Sequence, residues 1–132
     1  MVIIMGRQEL SKCEGMVMKA IWSSEDILTM QEITVKVNTL FHKTWKTQTV
    51  STYLARLVKK EYLSMERQGR LFYYHPLIAE EDYAQGEISK CVDMWGNAKI
   101  GALLSAFTQT KGLTEEEREY IRSILEDGQD DN

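Results

Sequence analysis

Several kinds of residue and segment are scarce in this chain of 132 residues, and each scarcity excludes a class of protein. A single proline and eight scattered glycines exclude collagen-like and low-complexity material, and 43% apolar residues are too many for a disordered chain. No stretch approaches the ~18 consecutive apolar residues of a membrane span, and the apolar run at residues 2–5 is too short for a signal peptide. We therefore expect a cytoplasmic protein that does not insert into a membrane.

Cysteine and histidine are also scarce. Cys13 and Cys91 lie far apart, and neither His42 nor His75 has a cysteine or carboxylate partner at the spacing of metal ligands. A catalytic thiol would need a histidine and an orienting group beside it, and no such grouping is visible. We expect two small buried cysteines without a disulfide, no metal ion, no cofactor and no enzyme activity.

The net charge of −4 hides two halves of opposite sign. Residues 1–78 carry 11 lysines and arginines against 7 aspartates and glutamates, whereas residues 79–132 carry 5 against 13. Residues 42–70 alone have a net charge of +5. A local basic surface can bind a polyanion on an acidic protein, because only charges within about a Debye length of the contact act on it. The alternative is an ordinary solvated charged face.

The basic half begins with three amphipathic segments. Ser11 with Glu14 and Thr29 with Glu32 form two capping boxes, and Thr47 is the expected cap of the third segment. Apolar residues follow each cap at offsets i, i+4, i+7 and i+8: Cys13, Val17, Ala20 and Ile21; Ile33, Val37, Leu40 and Phe41; Val50, Leu54, Leu57 and Val58. This spacing predicts three short helices that share a small core.

A β-hairpin is predicted directly after the third helix. Residues 62–66 and 70–75 are rich in aromatic and branched side chains, and the glycine of residues 67–69 can adopt the positive φ of a hairpin turn. Pro76 cannot donate a ladder hydrogen bond, so the second strand should end beside it. Three helices followed by a hairpin is the order of a winged helix-turn-helix, whose third helix enters the DNA major groove.

Four aromatic residues fit this arrangement. We expect Trp22, at the end of the first helix, to pack in the core, while for Trp45 a packing role and a functional role are about equally favoured. Tyr73 and Tyr74 alternate between faces of the hairpin, so one of them should be buried and the other exposed.

Short or forked polar side chains cluster on the third helix, and basic residues flank it and the hairpin turn. Such groups suit base edges and phosphates. The residues assigned to DNA binding are Lys43, Lys46, Thr47, Gln48, Thr49, Ser51, Thr52, Arg56, Arg67 and Arg70.

The acidic half is predicted to be helical throughout, with a third capping box at Thr114 and Glu117. Its helices are too few to bury their apolar faces in a free-standing unit, so we expect a homodimer. The alternative is a monomer whose helices fold back on the first unit. The residues assigned to dimerisation are Ile88, Val92, Trp95, Ile100, Leu103, Leu104, Phe107, Ile121, Ile124 and Leu125. The predicted class is mainly α with a small β hairpin, with a winged helix-turn-helix domain at 1–78 and a helical dimerisation domain at 79–132.

Residues 13–22, 45–57 and 69–76 resemble the penicillinase-repressor family, bacterial repressors of beta-lactamase and methicillin-resistance genes with copper-responsive relatives. The resemblance implies a winged helix, a helical dimerisation domain, and repression by a dimer on a palindromic operator. In antibiotic-sensing members it also implies a membrane sensor metalloprotease whose activation leads to cleavage in front of a phenylalanine. The corresponding bond here is Ala106–Phe107.

This sequence departs from the family pattern at three places. Ala106 stands where asparagine is common before the cleaved bond, and Glu61 stands where a glycine often follows the third helix. The C-terminal cysteine pairs of the copper-responsive relatives are absent, so we do not expect direct copper sensing. A winged-helix module that binds protein and not DNA is the competing function, although such a module should expose an apolar patch in place of the basic one.

Overall fold

The computed structural model describes residues 8–110, 112 and 114–130. These residues form six α-helices and one three-stranded antiparallel sheet, and none of the helices is long and apolar enough to cross a membrane. In chain order the elements are α1 (Lys12–Trp22), β1 (Leu28–Thr29), α2 (Met30–Phe41), α3 (Thr47–Lys59), β2 (Leu63–Gln68), β3 (Leu71–Pro76), α4 (Glu80–Trp95), α5 (Asn97–Thr110) and α6 (Glu115–Asp130). The predicted fold class is confirmed.

The chain divides into two compact units, one ending at Glu87 and the other beginning at Ile88. The first unit holds α1 to α3, the sheet and the first half of α4. The second unit holds the rest of α4 with α5 and α6. The functional assignment of residues 79–132 to dimerisation stays a prediction.

Three helices, α1, α2 and α6, start as their capping boxes predict. The Ser11 hydroxyl accepts from the Glu14 backbone N–H at 3.1 Å, and the Glu14 carboxylate accepts from the Ser11 N–H at 2.8 Å. Thr29 and Glu32 make the same reciprocal pair at the start of α2. The predicted cap of α3 is wrong: Lys46 is the N-cap residue and Thr47 is the first residue of the helix. A lysine side chain offers no acceptor, so α3 begins without a side-chain cap.

The core of the first unit lies between α1, α2, α3 and the sheet. The predicted stripes account for most of its fully buried side chains. The core is completed by Met18, Leu28, Tyr62, Leu63, Tyr74 and Ile78. One stripe residue is misplaced, because Leu40, in the last turn of α2, is 43% exposed. The expectation of two buried cysteines is also wrong: Cys13 is half-buried, and Cys91 is exposed on α4, none of whose residues is buried.

The predicted hairpin is present with a tighter turn, and its strands are Leu63–Gln68 and Leu71–Pro76 in place of the predicted 62–66 and 70–75. Gln68 pairs with Leu71, so the turn consists of Gly69 and Arg70 and not of residues 67–69. Gly69 has φ +64°, the positive value that a two-residue hairpin turn needs at its first central position. The strand β1 adds a third strand beside β3, which the sequence did not predict because two residues show no periodicity. Tyr74 is the buried member of the tyrosine pair, and Tyr73 is half-buried.

The end of α3 adopts a conformation that favours glycine. Glu61 has φ +68°; its N–H donates to the Val58 carbonyl at 3.0 Å, and the Tyr62 N–H donates to the Leu57 carbonyl at 2.9 Å. These two bonds form a Schellman motif, which usually places glycine at the left-handed position. The departure noted at Glu61 is therefore a non-glycine residue in left-handed backbone, with a cost of about 1 kcal/mol.

The first turns of α4 pack on the first unit through aromatic side chains. The Trp22 indole N–H donates to the Ile78 carbonyl at 2.9 Å. The Tyr83 ring lies 5.5 Å from the Trp22 ring and 6.0 Å from the Tyr62 ring, centroid to centroid. Trp22 therefore packs at the edge of the core, as predicted.

Candidate nucleic-acid interface

One side of helix α3 is buried in the core, and the other side is exposed to solvent. Val50, Leu54 and Leu57 are fully buried, so the opposite side of the helix faces solvent. All ten side chains assigned to DNA binding lie at the surface of the first unit. Lys43, Lys46, Gln48, Thr52, Arg56, Arg67 and Arg70 are exposed, and Thr47, Thr49 and Ser51 are half-buried. The exposed positions of α3 form one face that is polar and basic apart from Ala55, and we call it the α3 face. Its residues are Gln48, Thr52, Ala55, Arg56 and Lys59.

The turn before α3 is held by Asn38, near the end of α2. Its side-chain amide donates to the Trp45 carbonyl at 2.9 Å, and its amide oxygen accepts from the Trp45 N–H at 3.0 Å. His42 adopts left-handed backbone at φ +54°, which turns the chain away from α2. The two hydrogen bonds from Asn38 fix the backbone next to Lys46 and so set where α3 begins.

An aromatic and cationic stack lies on one flank of the α3 face. The Trp45 and Tyr53 rings are 5.3 Å apart, and the Arg56 guanidinium lies 5.8 Å from the Tyr53 ring centroid. A hydrogen bond between the Tyr53 hydroxyl and the Cys13 thiol, together with burial, raises the pKa of Tyr53. Trp45 is half-buried against the core, so it has a packing role.

The hairpin β2–β3 forms the wing, and its two arginine side chains differ in their contacts within the hairpin. Arg67 folds back: its Nε donates to the Gly69 carbonyl at 2.9 Å, and its guanidinium lies 5.8 Å from the Phe72 ring centroid. Arg70 is exposed at the second position of the turn. The wing also carries an acidic group, Glu66, which lies 2.9 Å from the His75 ring, and hydrogen bonding to His75 lowers the pKa of Glu66.

The family model described as penicillinase repressor matches residues 10–127. The chain belongs to the penicillinase repressor family. It is 32% identical to the penicillinase repressor of Bacillus licheniformis over 90% of this chain and 91% of that protein. It is 26% identical to the methicillin resistance regulatory protein MecI of Staphylococcus aureus strain N315 over 89% of this chain and 93% of that protein. The predicted function, transcriptional repression, is confirmed at the level of the family.

One solved structure of a relative is the Bacillus licheniformis BlaI monomer in complex with the blaP half-operator. Its sequence is 36% identical to that of the present chain. The match covers 58% of the present chain and 89% of the BlaI chain, and the TM-score is 0.47.

In the present chain, an ion pair removes one lysine from the basic surface. The Lys60 ammonium lies 2.6 Å from the carboxylate of Glu14, whose side chain is only 3% exposed, and it also donates to the Glu9 carbonyl at 2.8 Å. Burial by itself raises the pKa of Glu14, but the hydrogen bonds from Lys60 and Ser11 outweigh burial and lower it. Lys60 therefore stabilises the fold, whereas Lys59 is exposed and extends the α3 face.

Sequence reasoning missed three features of the candidate interface. Asn38 and Tyr53 act through contacts that join separate elements, so no local pattern reveals them. Lys59 could have been found from spacing, because it lies seven residues after Thr52 and three after Arg56, on the same side of the helix.

The second unit exposes large apolar side chains. Trp95 is 58% exposed, Leu104 61% and Phe107 48%, and Ile88 and Leu103 are similarly open. Val92 and Ile100 are half-buried. The side chains of Ile121, Ile124 and Leu125, also assigned to dimerisation, lie outside the described part of the structure. Ala106 and Phe107 lie together on α5, and both are exposed.

Proposed function

We propose that this member of the penicillinase repressor family binds a palindromic operator in double-stranded DNA as a homodimer and thereby represses transcription. The α3 face enters the major groove, and the wing lies along the adjacent backbone. The observation that carries this proposal is the α3 face itself, where Gln48, Thr52 and Arg56 stand in line on a helix whose other side is buried.

Charge and backbone at the start of α3 support contact with phosphate. Lys43 and Lys46 are exposed just before the helix, and α3 begins without a side-chain cap. Backbone N–H groups at an uncapped helix N-terminus favour an anion, as does the helix dipole. At the other end of the site, Arg70 on the wing supplies a second positive charge for the DNA backbone.

Exposed apolar surface on α4 and α5 supports the dimer. Isolated exposed apolar residues are ordinary, but Trp95, Leu103, Leu104 and Phe107 lie on two consecutive helices. A second copy of the chain can cover such a surface by an isologous contact, which matches the two-fold symmetry of a palindromic operator. Joining two half-site contacts in one particle raises the affinity above that of either contact alone.

Release follows from cutting the dimerisation unit. In the proposed mechanism a drug-activated membrane metalloprotease pathway leads to cleavage of the Ala106–Phe107 bond. Cleavage separates α6 and the end of α5 from the rest, which removes part of the dimer interface and most of the avidity. The bond lies within a helix, so that helix must open locally before a protease can bind it. The protein itself performs no catalysis, and it acts in the cytoplasm because it must reach operator DNA.

The direct test is binding of the purified protein to its own upstream DNA and to a scrambled duplex across a salt series, with particle mass followed by light scattering. We expect a dimer that prefers the upstream DNA, with an affinity that falls by a log–log slope of about 0.9 per phosphate neutralised. A folded dimer that binds neither duplex would refute DNA binding and favour a protein-interaction module.

Two matched variants test the placement of the wing. Arg70→Ala should weaken binding to both duplexes and reduce the salt slope by about 0.9, because it removes one phosphate contact. Lys12→Ala removes another exposed charge, at the start of α1. Lys12 lies two residues before Glu14, whose partner Lys60 is at the opposite end of α3 from Lys46. This control should leave affinity and slope unchanged. A monomeric Arg70→Ala variant, or equal effects of the two changes, would contradict the assignment.

Cleavage is tested by co-expressing the repressor with a sensor metalloprotease of the family, adding a beta-lactam and sequencing the fragment ends. A new N-terminus at Phe107 is expected. An intact chain, or a cut at another bond, would reject this part of the proposal.

A further inference from the structure

Tyr53 is a half-buried residue of α3 that contacts residues outside its own helix. Its ring lies 5.3 Å from the Trp45 ring, and Cys13 on α1 is close enough to its hydroxyl to raise the pKa of Tyr53. Trp45 is itself held by the two hydrogen bonds from Asn38 on α2. The position of the Tyr53 ring is therefore set by α1, by α2 and by the turn before α3.

Arg56 is the residue that this fixed ring contacts. Its guanidinium lies 5.8 Å from the Tyr53 ring centroid, within the range of a cation–π contact, while the side chain remains exposed on the α3 face. An unrestrained arginine loses much rotamer freedom when it binds DNA, whereas an arginine already stacked on a ring loses less. Arginine also stacks on aromatic faces better than lysine does, because its guanidinium is planar.

We propose that Tyr53 is a positioning residue for operator binding, which holds the Arg56 guanidinium in its DNA-binding orientation before the DNA arrives. This inference rests on the proposed function. Tyr53 contributes to affinity only through Arg56 and makes no base or phosphate contact of its own. Trp45, held by Asn38, supports the ring and so determines where Arg56 can point.

A double-mutant cycle on the full-length protein tests this coupling. The operator affinities of wild type, Tyr53→Leu, Arg56→Ala and the double variant are measured at one salt concentration. We expect Tyr53→Leu to weaken binding about threefold when Arg56 is present and to have no effect when Arg56 is alanine. Tyr53→Phe keeps the ring and removes only the hydroxyl, so it should stay within about twofold of wild type.

A DNA-free measurement checks the stack itself. The side-chain protons of Arg56 should show a ring-current shift by NMR in wild type and Tyr53→Phe, and this shift should disappear in Tyr53→Leu. Thermal unfolding of each variant shows whether it is folded at the binding temperature. If Tyr53→Leu does not fold, Arg56→Lys replaces it. The operator affinity of Arg56→Lys should fall below that of wild type, and the ring-current shift should weaken, because an ammonium stacks less well than a guanidinium.

The outcomes separate this inference from the proposed function. Additive effects of Tyr53→Leu and Arg56→Ala would overturn the inference, and so would equal losses in Tyr53→Phe and Tyr53→Leu, which would assign the hydroxyl a direct contact. In either case the wild type still binds operator. A folded wild type that binds no DNA would overturn the proposed function first and the inference with it.

Discussion

Replacing Lys60 with methionine should destabilise the first unit strongly, because it leaves the Glu14 carboxylate buried without its cation. Breaking one side of a buried ion pair costs about 3–5 kcal/mol. Two features reduce the cost here: the Lys60 side chain is 18% exposed, and Glu14 keeps its hydrogen bond from the Ser11 N–H. We therefore expect a loss of about 2–3 kcal/mol in the free energy of unfolding. In a domain of this size that loss lowers Tm by roughly 10–20 °C.

The effect should depend on pH with a defined sign. In wild type the pKa of Glu14 is lowered, so the pair stabilises the fold above the ordinary pKa of 4.5 and the contribution fades as pH falls through the folded-state pKa. In Lys60→Met the contributions of Lys60 are lost and only the hydrogen bonds from Ser11 oppose burial, so the pKa of Glu14 is higher than in wild type. The difference between wild type and variant should therefore be larger at pH 7 than at pH 4.

The assay is urea denaturation followed by circular dichroism at both pH values, with Lys59→Met as the matched control. Lys59 is the exposed neighbour of Lys60, and its substitution should change stability by less than about 0.5 kcal/mol. The double variant Glu14→Gln, Lys60→Met should recover part of the loss, since no buried charge remains. Equal losses for Lys59→Met and Lys60→Met, or a difference that does not change between pH 7 and pH 4, would refute the reasoning.

Three further changes test single features of the fold. Glu61→Gly should raise the free energy of unfolding by about 0.5–1 kcal/mol, because glycine relieves the strain of left-handed backbone. Glu61→Ala should bring no such gain. The readout is a higher urea midpoint at an unchanged m-value. Asn38→Leu removes both hydrogen bonds to the Trp45 backbone and should cost about 1–3 kcal/mol. Equal stability of Asn38→Leu and wild type would contradict this clamp. Trp22→Phe leaves the Ile78 carbonyl without its indole donor and should lower the unfolding free energy by about 1–2 kcal/mol in thermal melts followed by circular dichroism, and a melt identical to wild type would count against that bond.

The sequence by itself determined the local structure of this protein. Capping boxes at Ser11 and Thr29, apolar stripes at helical spacing and a glycine between two β-rich runs each specify structure within a few residues. Such signals are readable because they depend on backbone geometry and on side chains close in sequence. The basic character of α3 and its flanks is also a property of composition, and it placed the ten candidate DNA-binding residues at the surface of the first unit.

Only the tertiary structure decided which charges and aromatic rings act together. Lys60 counts as surface charge in the sequence, yet it turns inward to Glu14, 46 residues away, while its neighbour Lys59 stays outside. In the sequence Tyr53 is an ordinary residue at the edge of the α3 stripe, and only the structure shows its contacts with Trp45 and Arg56. These contacts join elements that are distant along the chain, and their geometry depends on how the helices pack, which no periodicity records.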